Sequence, residues 1–138
     1  MEQLFEFIGN HPIAVGAFAV LLVLFVHNEM QRGGGTVSAQ QLVDMVNRDN
    51  ALVLDVRDSD EFKSGHIVDA VNVPFNSLES RLGELEPYKE RPIVVACKMG
   101  QHSNAAGMVL RKNGFASVAR LNGGVMEWRG QNLPLVKR

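Results

Sequence analysis

The stretch "PIVVACKMGQHSNAAG", Pro92 to Gly107, decides the fold. Its first half is apolar, β-branched and too short for a helix, so it reads as a strand buried on both faces of a parallel sheet. Its second half passes through a glycine-containing turn and becomes helical from Ser103, with Gly114 closing the helix after Asn113. A strand handing over to a helix is the unit of an α/β fold, and in such folds ligands collect beyond the carboxyl ends of the strands. The only cysteine of the chain, Cys97, stands at that handover. Position alone leaves two readings open: a buried filler, which free cysteine often is, or a nucleophile over the amino end of a helix.

The same alternation recurs on both sides of this stretch. Ser38 and Gln41 form a capping-box pattern, followed by a helical stripe of Leu42, Val43, Met45 and Val46. "ALVLDV" (Ala51 to Val56) reads as a buried strand, Asp60 to Lys63 as a short helix ended by Gly65, and "AVNVP" (Ala70 to Pro74) as a second strand stopped by its proline. Ser77 to Leu85 has Leu78, Leu82 and Leu85 at helical spacing. Ser117 to Leu121 reads as a fourth strand, "NGG" as a turn and Val125 to Arg129 as a closing helix. Four alternations argue for an α/β layer fold with a central, mostly parallel sheet.

Composition narrows the function. With 138 residues, 46% of them hydrophobic, the chain has material for one modest domain. Lys and Arg number 14 against 15 Asp and Glu, a balance of -1 that lacks the basic face nucleic acid requires. One cysteine forms no intramolecular disulfide, and no Cys/His set has metal-ligand spacing. No metal and no cofactor are therefore expected, and the thiol suits a reducing compartment.

The first 29 residues differ from the rest. Ile13 to Val26 is fourteen residues without a charge, about 21 Å of helix against a hydrocarbon layer of about 30 Å. Extending that helix back to Leu4 reaches about 34 Å and brings Glu6, Asn10, His11 and Pro12 to the headgroups. A cleaved signal peptide lacks its basic n-region here, and a core helix apolar on all sides lacks a domain large enough to cover it. The expectation is one transmembrane helix over residues 1–29, a glycine-rich linker over 30–36 ("MQRGGGT") and a folded domain over 37–138. Arg32 after the segment, with nothing basic before Ile13, places the domain in the cytoplasm by the positive-inside rule, on a single-pass inner-membrane protein.

Three stretches resemble the rhodanese (sulfurtransferase) family, and the similarity spans about Val37 to Pro134. "LDVRDSDEFKSGHIVDAVNVP" (Leu54 to Pro74) resembles the family's first signature, "CKMGQHS" (Cys97 to Ser103) its active loop, and "LNGGVMEWRGQNLPL" (Leu121 to Leu135) its closing signature. With the amino-terminal segment, the arrangement is similar to small membrane-tethered rhodanese-like proteins. The resemblance implies a three-layer domain that moves sulfane sulfur. A donor such as thiosulfate leaves a persulfide on Cys97, and cyanide or a thiol from outside the chain then takes the sulfur. Loop N–H groups stabilise that persulfide as oxyanion donors stabilise a tetrahedral intermediate, and two half-reactions give ping-pong kinetics.

The resemblance also implies the site. Cys97 is the catalytic residue, Lys98, Met99, Gly100, Gln101, His102 and Ser103 form the substrate-binding loop, and Asp55 and Arg57 support it by hydrogen bonds or as a strand-end ion pair. Gly100 supplies the positive φ of so tight a loop; Met99 is placed at the pocket mouth, His66 at a structural turn, and Trp128 and Phe62 in the core. His102 departs from the arginine common in the family, and a side chain only partly charged at neutral pH holds an oxyanion less well. Thiosulfate is accordingly expected to be a poor donor. A phosphatase of the related loop type needs an arginine where this chain has Ser103. The main rival is a membrane-tethered module that binds a protein partner or carries persulfide to one.

Overall fold

A computed structural model describes residues 1–31 and 35–137. The chain divides into two units, Met1–Gln31 and Arg32–Arg138. The centre of the expected linker, Arg32 to Gly34, and with it the arginine used for orientation, lies outside the described residues.

The amino-terminal unit is two helices, α1 (Glu2–Asn10) and α2 (Pro12–Gln31). The single transmembrane helix expected here is broken: the axes of Glu2–Asn10 and Pro12–Asn28 differ by 95°. Pro12 is the cause, for a residue preceding proline is pushed out of the helical region, and His11 sits at φ -130°, ψ 57°. Pro12 itself becomes the first residue of α2, where its missing N–H costs nothing. Among the described residues no single helix is long and apolar enough to cross a membrane, although the bent pair together meets that measure by length and composition. At about 100° per residue, Leu4, Phe5, Phe7 and Ile8 fall on one arc of α1 with Glu2, Gln3, Glu6 and Asn10 opposite. The fourteen residues from Ile13 to Val26 give α2 an apolar surface on every side.

The second unit is a five-stranded sheet between two layers of helix. Its strands are β1 (Gly35–Val37), β2 (Leu52–Asp55), β3 (Val71–Asn72), β4 (Ile93–Ala96) and β5 (Val118–Leu121). They run parallel in the order β1-β5-β4-β2-β3, so the stretch containing Cys97 leaves the central strand. Parallel strands alternate faces with period two. Leu52, Leu54, Ile93 and Val95 therefore pack on one side with Leu78, Leu85, Leu110 and Phe115. Val53, Val94 and Ala96 pack on the other with Leu42, Val125 and Trp128. Those partners come from α5 (Ser103–Lys112), the connection that follows it and the segment after β3 on the first face, and from α3 (Ala39–Asp49) and α6 (Gly124–Gly130) on the second. The three-layer α/β fold is thus as expected.

Local details follow the sequence with two differences. Ser38 caps α3 by accepting from the Gln41 N–H while the Gln41 side chain accepts from the Ser38 N–H, closing the capping box. A short helix α4 (Ser59–Ser64) follows β2. Gly35 and Thr36, read as the end of the linker, instead pair with Ala119 and Arg120 as an edge strand. The helix expected over Ser77 to Leu85 is not α-helical: Phe75–Ser77 and Glu79–Tyr88 are 3-10 turns with a kink at Arg81 (φ -113°, ψ 15°). Pro87 has no N–H to offer a carbonyl one turn back, and the tighter winding still buries Leu78 and Leu85 completely.

Candidate active site

The site is built where β2 and β4, neighbours in register at Asp55 and Ala96, both end. At the end of β2, Asp55 is 1% exposed and its carboxylate accepts from the Arg57 N–H (3.0 Å), Nε (3.0 and 3.1 Å) and Nη2 (2.7 Å). Arg57 Nη2 also donates to the Gly65 carbonyl at 2.8 Å. Asn72 Nδ2 donates to the carbonyls of Asp55 (3.0 Å) and Arg57 (2.9 Å) from the adjoining strand. The Val56 N–H donates to the Ala96 carbonyl at 2.9 Å, which fastens this segment to β4 one residue before Cys97. Asp55 and Arg57 are therefore a frame, matching the strand-end ion pair expected of them. A buried carboxylate is tolerated only when partnered this completely.

At the end of β4 the chain does the opposite. Cys97 is buried, 1% exposed, and its Sγ accepts from the Gly100 N–H at 2.8 Å. Gly100 has φ 96°, the left-handed conformation expected of it, and that turn aims its N–H back at the sulfur. Ser103 is buried at the start of α5, where its Oγ donates to the Gly100 carbonyl at 3.0 Å and pins the loop to the helix.

The other support comes from α6. The Val125 N–H donates to the Cys97 carbonyl at 2.8 Å and the Met126 N–H to the Lys98 carbonyl at 3.0 Å. These are first-turn donors with no partner inside their own helix, so α6 is capped by the cysteine loop. Gly124 makes the approach possible: a Cβ there would collide with the Cys97 carbonyl oxygen and lie 2.7 Å from that of Lys98. The closing "NGG" is thus more than a turn.

Between the two strand ends lies a cavity of about 230 Å³ that reaches Cys97 and is walled by Val56, Arg57, Phe75, Lys98, Gln101 and His102, among others. The exposed His102 ring stacks on Phe75, centroids 5.1 Å apart and planes at 23°. Lys98 and Gln101 wall the cavity as expected of loop residues, but Met99 does not. Its side chain is 51% exposed and outside the lining, which corrects its expected place at the mouth. Phe75, Asn76, Asp58 and Glu61 complete the lining and were not singled out from sequence. Glu61 lies within the first signature, and Phe75 and Asn76 directly follow its closing proline, so the signature itself was the available signal. Arg57 being committed to Asp55, the remaining formal charges of the wall are Lys98 against Asp58 and Glu61.

Two further histidine and aromatic expectations concern packing. His66 Nδ1 lies 2.7 Å from the Phe62 carbonyl, its ring stacks on Phe62 at 3.7 Å, and its backbone bridges to Val136, a structural turn as expected. Trp128 is core and its Nε1 donates to the Pro134 carbonyl at 3.0 Å, whereas Phe62 is only half-buried. Among the described residues no group of three or more His, Cys, Asp or Glu is placed to hold a metal ion.

Residues 38–131 match the family described as Rhodanese-like domain. The chain belongs to the rhodanese-like family. It is 33% identical over 141 residues to the uncharacterized protein YibN of Escherichia coli (strain K12), covering 99% of both chains. To the thiosulfate sulfurtransferase GlpE of Shewanella oneidensis it is 34% identical over 96 residues, 70% of this chain and 93% of that one. A rhodanese-related protein of Thermoplasma volcanium superposes with a TM-score of 0.68 at 27% identity, covering 75% of this chain and 99% of its own. In this rhodanese-like chain Cys97, the loop glycine Gly100 and Gly124 at the start of α6 thus meet around one loop.

Proposed function

We propose that the chain is a sulfurtransferase whose covalent carrier is Cys97. The observation that carries this reading is the sulfur at the cavity floor with the Gly100 N–H directed onto it at 2.8 Å, a donor placed for an anionic sulfur. In the first half-reaction the Cys97 thiolate attacks the sulfane sulfur of a donor such as thiosulfate. A sulfur–sulfur bond forms, the bond to the sulfonate breaks, and sulfite leaves with the electron pair. In the second, an acceptor thiolate or cyanide attacks the outer sulfur and Cys97 Sγ departs as thiolate. Thiosulfate is a weak donor in this reading, because Asp58 and Glu61 share the cavity wall with Lys98, and His102 offers no guanidinium fork for an oxyanion.

The test is intact mass. Full-length protein in detergent, incubated with thiosulfate, gains one sulfur atom, and Cys97→Ser does not. No gain with thiosulfate or any other sulfane donor would leave the second reading, a tethered module for a protein partner. The resemblance to the putative sulfur carrier protein YrkF of Bacillus subtilis, 31% identical over 96 residues, favours an intermediate form of it in which persulfide is handed to another protein.

The amino-terminal unit fits a membrane attachment of a different shape from a straight span. In this reading α1 lies in the interface with Leu4, Phe5, Phe7 and Ile8 toward the acyl chains, and α2 carries Ile13 to Val26 into the bilayer. The catalytic unit then lies on the cytoplasmic side, where a free thiol stays reduced. Carbonate extraction with protease digestion of spheroplasts tests this: the protein stays with the membrane and the carboxyl unit is protected. Release by carbonate, or digestion from outside, refutes it.

A further inference from the structure

A second cavity adjoins the one above Cys97. It measures about 250 Å³ and is walled by Arg57, Glu61, Ser64, Lys98, Met126 and Arg129, together with Val125. Arg57, Glu61 and Lys98 are shared with the first cavity, so the two are compartments of one cleft divided by these side chains. Their charges differ. The first has Asp58 in addition to the shared Glu61; the second has Arg129, an exposed side chain on α6. Arg57 is neutralised by Asp55 in both, which leaves Lys98 and Arg129 against Glu61 in the second compartment. The Arg129 guanidinium lies near Gly65: a Cβ built on that glycine would be 3.7 Å from Arg129 Nη2. The Gly65 carbonyl itself takes Arg57 Nη2, and Arg129 contributes to the wall of the second compartment.

Two cations beside a nucleophilic sulfur, in a compartment the sulfur itself does not line, suit the tail of a substrate whose head reacts at Cys97. We infer that the compartment is an acceptor subsite selecting a low-molecular-weight thiol that bears a carboxylate, with Arg129 and Lys98 binding the carboxylate. The inference rests on the sulfur-transfer reading above. The thiolate of such a molecule attacks the outer sulfur of the Cys97 persulfide, the bond to Sγ breaks, Cys97 leaves as thiolate, and the product is the persulfide of the acceptor. Arginine is suited to this grip, for its planar fork matches a carboxylate bidentately. Glu61 on the shared wall works against it, so the two side chains make predictions of opposite sign.

The experiment compares 3-mercaptopropionate, which carries a carboxylate, with the neutral 2-mercaptoethanol as acceptors, using full-length protein in detergent with saturating thiosulfate. The readout is the ratio of kcat/KM for the two thiols. Arg129→Gln lowers that ratio about five-fold, Arg129→Lys restores most of it, and Glu61→Gln raises it about two-fold. A ratio unmoved by Arg129→Gln, or an equal fall with both thiols, overturns the subsite. Intact mass after thiosulfate treatment separates the two levels. If wild type and variants all gain sulfur while the ratio stands still, only the subsite fails; if wild type gains none, the sulfur-transfer reading fails and the subsite with it.

Discussion

The ends of β2 and β4 sit side by side in the sheet and are built on contrary rules. After β2, both charges of the Asp55–Arg57 pair are buried, the arginine also donates to the Gly65 carbonyl, and Asn72 Nδ2 donates to the backbone carbonyls of Asp55 and Arg57. After β4, the reactive atom has one donor, the Gly100 N–H, and a cavity in front of it. One end satisfies its polar groups with one another, and the other leaves a buried sulfur lining a cavity. A fixed frame beside an under-satisfied nucleophile is how a small domain positions chemistry without a large supporting shell.

The contrast is broken most completely at the reactive end. Cys97→Ser is expected to lower sulfur transfer at least about a thousand-fold while leaving the fold intact, since removing a covalent nucleophile costs far more than any binding group; cyanide-dependent thiocyanate formation measures it, with Trp128 fluorescence as the check on folding. At the frame end the loss is stability. Arg57→Ala leaves a carboxylate 1% exposed without its cation, at a cost of about 3–5 kcal/mol, read from urea unfolding. If Arg57→Ala is as stable as wild type but inactive, the frame has a direct part in the chemistry and the contrast dissolves.

Gly124→Ala acts on the support between the two ends. The added methyl meets the Cys97 carbonyl and the backbone stands at φ 64°, so a loss of about 2–3 kcal/mol is expected together with reduced activity. The smallest change sharpens the contrast from the other side: His102→Arg, placing a permanent fork at the wall, is expected to lower the KM for thiosulfate about five-fold with little effect on unfolding. An unchanged KM would show that the ring on Phe75 is too far from the donor to matter.

Sequence carried most of this arrangement because the patterns were local. The apolar runs at Leu52 to Asp55 and Ile93 to Ala96, the capping box at Ser38 and the glycine after α5 each declare themselves within a few residues. Cys97, Lys98, Gly100, Gln101, His102 and Ser103 were all legible as one loop: Cys97, Lys98, Gln101 and His102 line the cavity, and Gly100 and Ser103 make hydrogen bonds within the turn. What escaped depended on distant partners. Gly35 and Thr36 become strand only because β5 offers an edge, and nothing in three adjacent glycines announces that. The contacts of Val125 and Met126 with the cysteine loop join segments far apart along the chain, so the paired glycines looked like a simple turn. Two misses were local: Pro12 was placed correctly in a first helical turn, but of a new helix rather than of a longer one, and the segment before Pro87 winds as 3-10 turns rather than as an α-helix.

The grip of α6 on the cysteine loop has a consequence for biosynthesis. The nucleophile leaves the ribosome well before the residues whose N–H groups fix its carbonyls, so a growing chain exposes a thiol with no shaped cradle around it. In the sulfur-transfer reading, a site shaped to load sulfur is therefore expected only once Met126 has been made and has joined the fold.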